Sequence, residues 1–90
     1  MNDNRIKMID NIDQKLNILY RNMSKDEFYT FMDNNKEVKV YNELLNNIAL
    51  NIIPTNYLML IPTSVLVEIN NKVFLQFTNL LNTNKELVLV

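Results

Sequence analysis

Apolar residues recur at spacings of 3, 4, 3 and 4 along two stretches of this chain. In the first they are Ile9, Ile12, Leu16, Leu19 and Met23; in the second they are Val38, Tyr41, Leu45, Ile48 and Ile52. That spacing follows the turn of an α-helix and lays each set along one stripe, with polar residues opposite. A helix is therefore expected from Asp3 to Met23. Another is expected from Lys36 to Ile52, with Leu44 widening its stripe and Pro54 ending it. Between them, Ser-Lys-Asp-Glu at 24–27 is a capping box, in which the Ser24 side chain and the Glu27 side chain each satisfy the other's backbone amide. It opens a short helix, about Lys25 to Asn34, that presents Phe28, Phe31 and Met32. The two long stripes predict that the first and third helices pack together, with the short helix as connector.

The pattern changes after Pro54. YLMLI (57–61), VLVEI (65–69), KVFLQF (72–77) and ELVLV (86–90) are short apolar runs rich in β-branched and aromatic residues. Turn-forming residues separate them, which predicts strands. The expected fold is α+β: three N-terminal helices followed by a small antiparallel sheet of three to four strands. The whole chain, 1–90, is read as a single domain, helical over 1–53 and apolar and β-forming over 54–90. An all-α helical bundle is the alternative. A helical wheel over 64–82 gathers Leu66, Ile69, Val73, Phe77 and Leu80 on one side and places Glu68 four residues before Lys72, a favourable pair. Leu75 on the polar side and Asn70 on the apolar side count against it. IPTNYLMLI (53–61) and IPTSVLVEI (61–69) also echo one another at a period of eight, as a duplicated entry into a strand or a helix would.

A two-residue turn at Asn70-Asn71 would set Val67 against Phe74 on one side of a hairpin. On the other side it would set Leu66 against Leu75, Glu68 against Val73 and Ser64 against Phe77. Both sides are then mostly apolar, whereas a sheet with one wet face alternates. The helices can cover one side. The other leaves Leu66, Val73, Leu75 and Phe77 for a partner, and Leu87 and Leu89 stand on a last strand that offers an open edge. These six residues are the expected protein interface.

Charge sharpens the division. Residues 1–43 hold seven Lys/Arg and eight Asp/Glu, but residues 44–90 hold only Glu68, Lys72, Lys85 and Glu86. The net charge of −1 differs from the basic balance of most nucleic-acid binders. There is no histidine, cysteine or glycine. That removes the commonest general base, thiolate metal sites and the glycine loops that cradle phosphates. Turns that need positive φ must then use asparagine, which fills seventeen of ninety positions. This asparagine-rich, glycine-poor composition fits an AT-rich genome, such as that of a low-GC bacterium, a phage or another mobile element. The start, MNDNRIKMID, lacks the apolar core of a signal peptide, and Pro54 and Pro62 interrupt the most hydrophobic stretch, so no membrane span and a cytoplasmic location are expected (host cytoplasm for a viral protein).

No enzyme is expected, and no cofactor. Asp10 and Asp13 sit three apart, but a hard cation would want further carboxylates, and no metal site is assigned. Ser24 is an N-cap without a candidate base. Tyr20, Phe28, Tyr29, Phe31 and Tyr41 have the helical spacing of a core more than that of a base-stacking platform. The expected function is a small non-enzymatic protein–protein interaction protein of inhibitor or adaptor type, oligomeric through its apolar C-terminal half. Its partner would be another protein chain, a second copy or a target. A winged-helix DNA-binding regulator acting as a dimer ranks second. Its third helix would offer Lys36, Lys39, Asn42 and Asn46 to the major groove, and the hairpin tip would bring Lys72. Finally, QFTNLLNTN at 76–84, with the runs before it, resembles the middle strands of the Sm-like RNA chaperone family, whose members form RNA-binding rings. The resemblance covers about a third of the chain. The family's glycine-containing bent strand and its lysine–histidine motif have no counterpart here, so no functional residue carries over.

Overall fold

The computed structural model describes residues 3–83. They form helices α1 (Asp3–Asn22), α2 (Lys25–Asn34), α3 (Lys36–Ala49) and α4 (Thr63–Thr83), with a 3₁₀ segment (Thr55–Leu60) between α3 and α4. Among the described residues there is no strand. No helix among them is long and apolar enough to cross a membrane.

The first three helices arise as their patterns predict. The capping box forms at α2: the Glu27 amide donates to Ser24 Oγ (3.1 Å) and the Ser24 amide to Glu27 Oε1 (3.3 Å). A single residue, Asn35, separates α2 from α3, and its side-chain amide donates to the Phe31 carbonyl (2.8 Å). Helix α3 ends earlier than its stripe suggested. Asn51 takes a φ of 60°, the Asn51 amide donates to the Ile48 carbonyl and the Ile52 amide to the Asn47 carbonyl. This is a Schellman closure, and asparagine supplies the left-handed residue because the chain has no glycine. Ile52 leaves the stripe and is exposed.

The sheet is the main correction. The expected α+β fold gives way to the all-helical alternative: residues 63–83 are one continuous helix, and the supposed turn at Asn70-Asn71 lies in its middle. The first four residues of YLMLI belong to the 3₁₀ segment, and Ile61 follows it in an extended conformation. The echoed Ile-Pro-Thr motifs are two helix entries, Pro54-Thr55 into the 3₁₀ segment and Pro62-Thr63 into α4. The likeness to Sm-like strands fails for the same reason, since residues 76–83 are helical.

Packing explains why helix wins. Helix α1 offers one apolar stripe, and α4 lays Leu66, Ile69 and Val73 into it, each 2% exposed or less. Full burial of such a side chain stabilises by about 1.5–3 kcal/mol, whereas strand preference spans only about 1 kcal/mol. Both objections to the helix dissolve. Asn70 accepts from the Asn11 side-chain amide across the α1–α4 seam (3.0 Å), so its polar group is satisfied where it lies. Leu75 stays outside, 63% exposed.

The principal partner of α1 is thus α4, not α3. Arg5 meets Thr63, Asn11 meets Asn70, and Lys15 lies over Phe74 and Phe77, so the two helices run in the same direction. A parallel pair needs a return path, which α2, α3 and the 3₁₀ segment provide. Phe28, Phe31 and Met32 of α2 and Val38 and Tyr41 of α3 complete the core.

Candidate interaction surfaces

An open groove of about 360 Å³ with an almost wholly apolar lining lies between α3 and the start of α4. Val40 and Leu44 form one wall, and Ile61, Val65 and Ile69 form the other. Lys36 and Glu37, one charge of each sign, stand at its α3 end. Val40 is 64% exposed. The chain from Leu44 to Val67, which supplies Leu44, Ile61 and Val65 to the groove, carries no charged residue, and Leu50, Ile52 and Leu60 on it are exposed.

Arg5 fixes this region to the body of the protein. Its guanidinium donates through Nη1 to Thr63 Oγ1 (2.7 Å) and through Nη2 to the Ile61 carbonyl (2.6 Å), with longer contacts to the Leu58 and Met59 carbonyls. One cation on α1 therefore gathers carbonyls at the end of the 3₁₀ segment and the first hydroxyl of α4. At the other end of the groove region, Lys72 joins α4 to Glu37 of α3 (2.8 Å) and also pairs with Glu68 (3.3 Å). The hydrogen bond to Lys72 holds the Glu37 carboxyl below its ordinary range, and the bond to Glu37 raises Lys72.

The six residues expected at a protein interface separate. Leu66 and Val73 are internal, because a helix turns them toward α1 rather than leaving them on a sheet face. Phe77 is partly buried against the core and lies under Lys15. Leu75 is exposed on the outside of α4, near Phe74, which is 54% exposed. Leu87 and Leu89 lie outside the described residues.

The five residues of the DNA-binding alternative are not brought together. Lys36 stands at the apolar groove. Lys39 is paired with Asp33 (3.0 Å), whose hydrogen bond raises its pKa. Lys72 is held by two glutamates instead of standing on a wing. Asn42 and Asn46 face a cleft that also contains Asp13, an acid, on the opposite flank of α3. With the hairpin gone and two of three lysines paired with acids, little positive charge is left for phosphate.

That cleft, about 460 Å³, lies among α1, α2 and α3. Tyr41 Oη donates to Asp13 Oδ1 (2.9 Å). Burial raises the Asp13 carboxyl above its ordinary value, the Tyr41 hydrogen bond partly offsets this, and Asp10 adds to the rise. Burial first, and then the Asp13 charge, pushes the Tyr41 phenol up. Tyr20 packs edge-on against Phe28 (5.4 Å), and Phe28 against Tyr29 (5.9 Å). Phe28 is buried, while Tyr20 and Tyr29 are exposed. Among the described residues, no group of three acidic side chains gathers where it could hold a metal.

Sequence reasoning missed both concavities. The groove had one signal, Leu44 beside Leu45, which broadens the apolar face of α3 beyond a single stripe. The cleft had none, because its residues come from three helices whose order in space depends on α4 taking the place beside α1. No family model, curated protein or solved structure matches this chain significantly.

Proposed function

We propose that this protein is a non-enzymatic protein-binding module that pairs with a second copy of itself through the α3–α4 groove and the apolar connector beside it. The observation that carries this reading is the groove: an open, apolar concavity whose wall residue Val40 is well exposed, with exposed Leu60 adjacent in sequence to its Ile61. A two-fold interface requires one surface to hold both the hollow and the side chain that fills it, and the exposed Leu60, next in sequence to the lining residue Ile61, is the side chain this reading assigns to that role. Its charges favour self-pairing as well. The charges at one end of the groove, Lys36 and Lys72 against Glu37 and Glu68, balance, the connector is uncharged, and the net charge of −1 gives weak repulsion between copies. Exposed apolar clusters of this kind are characteristic of protein contacts.

Light scattering after size exclusion, across a dilution series, tests the proposal. The wild type should run as a dimer that dissociates on dilution. Val40→Asp and Leu60→Asp should be monomers at the same concentrations. Both positions are well exposed (64% and 72%), so the fold should survive, as unchanged helical circular dichroism would verify. A wild-type monomer at every concentration would overturn self-pairing.

A further inference from the structure

The geometry points to a second binding site, the α1–α2–α3 cleft, that takes an organic cation: a protonated amine or a guanidinium. The site lies on the other flank of α3 from the self-pairing groove; Tyr41 is common to both, lining the groove and holding Asp13.

Asp13 is the anchor. Its carboxylate lines the cleft and is held by the Tyr41 hydroxyl, which fixes its orientation but adds no positive charge. No lysine or arginine pairs with it among the described residues. A half-buried carboxylate with no cation is an incomplete arrangement, because desolvation is opposed only by a neutral donor. Asp10, one turn earlier and outside the lining, lies near enough for its charge to act on the Asp13 carboxyl.

The walls suit the same ligand. Tyr20 and Tyr29 line the cleft together with the buried Phe28, and aromatic rings can attract a cation placed over their faces. Asn17, Asn42 and Asn46 line it with amides, whose carbonyl oxygens can accept the remaining N–H groups of an ammonium or guanidinium. Polarity fixes which way the ligand lies. Lys25 lines the adjoining hollow together with Tyr20 and Tyr29, so the positive charge of a ligand belongs at the Asp13 end. The cleft volume of about 460 Å³ lies in the range of small-molecule sites. The cation can come from a free amine or from the side chain of a partner protein, and the chemistry is shared.

The test uses the full chain and three probes followed by NMR: tyramine, the blocked tripeptide acetyl-Gly-Arg-Gly-amide, and tyrosol, the uncharged counterpart of tyramine. At least one cation should give saturable shifts at the side-chain amides of Asn42 and Asn46, and tyrosol should give none. Tighter binding of tyramine assigns the site to free amines, and tighter binding of the peptide assigns it to an arginine side chain. Asp13→Asn keeps an acceptor for Tyr41 and should weaken binding about tenfold or more. Tyr20→Ala, at an exposed position, should weaken it severalfold and guards against a folding defect at Asp13. Binding should also tighten as pH rises through the titration of Asp13 and then level off, since the cation selects the ionised form. The charged or titratable groups around Asp13 are Asp10 on its own helix, Tyr41 on α3 and Lys25 at the adjoining hollow, and burial pushes the Tyr41 phenol up, away from that interval. No saturable shift from either cation, equal binding by tyrosol, or unchanged affinity in Asp13→Asn would overturn the proposal.

Discussion

Asn51 shows how a composition becomes a conformation. A chain without glycine must close its helices with another residue, and asparagine adopts positive φ most readily among the rest. The sequence holds seventeen asparagines, and among the described residues Asn51, at a φ of 60°, is where it happens. The residue type was legible in advance. The position was not, because it depends on where α3 stops being covered. Asn51→Ala should cost about 1–2 kcal/mol in urea unfolding, the strain of a left-handed residue with a β-carbon, whereas Asn51→Gly should be neutral or slightly stabilising. If alanine matched glycine there, the strain would not be real. Asn70 and Arg5 carry the same lesson. Each looks ordinary in sequence and finds its role only across a helix pair, Asn70 with Asn11 and Arg5 with the carbonyls of the 3₁₀ segment.

At the scale of elements, α4 decides the molecule. Its residues are strand-like in kind but helical in spacing. The spacing prevails because α1 supplies a stripe of matching period, and the Glu68–Lys72 pair adds a modest local contribution. The two readings separate on one pair of residues. A hairpin would place Leu66 and Leu75 opposite each other with similar surroundings. The helix buries Leu66 fully and leaves Leu75 63% exposed. Leu66→Ala should therefore lower stability by about 2–5 kcal/mol, and Leu75→Ala by less than about 0.5 kcal/mol. Equal losses in denaturant titrations would contradict this packing. The capping box at Ser24, by contrast, was readable from four residues, because every partner it needs lies within them.

At the scale of the whole molecule, the apolar excess of the second half is only partly absorbed. Leu66, Ile69 and Val73 go inside, but Val40, Leu50, Ile52, Leu60, Phe74 and Leu75 remain exposed. If two copies share the α3–α4 groove, folding and pairing are linked by mass action. The thermal midpoint of the wild type should then rise with protein concentration, and that of Val40→Asp should not; a concentration-independent wild-type midpoint would count against the dimer. The sequence by itself determined the first three helices, the cap between them, the use of asparagine for positive φ, and the division between a charged half and an apolar one. Each of these rests on neighbours within a few positions, where periodicity and local hydrogen bonding decide. Only the tertiary structure decided that residues 63–83 form a helix, that α4 rather than α3 lies beside α1, and where the groove and the cleft open. A short apolar run satisfies both a strand and a helix locally, and the choice falls to whichever buries it against the rest of the chain.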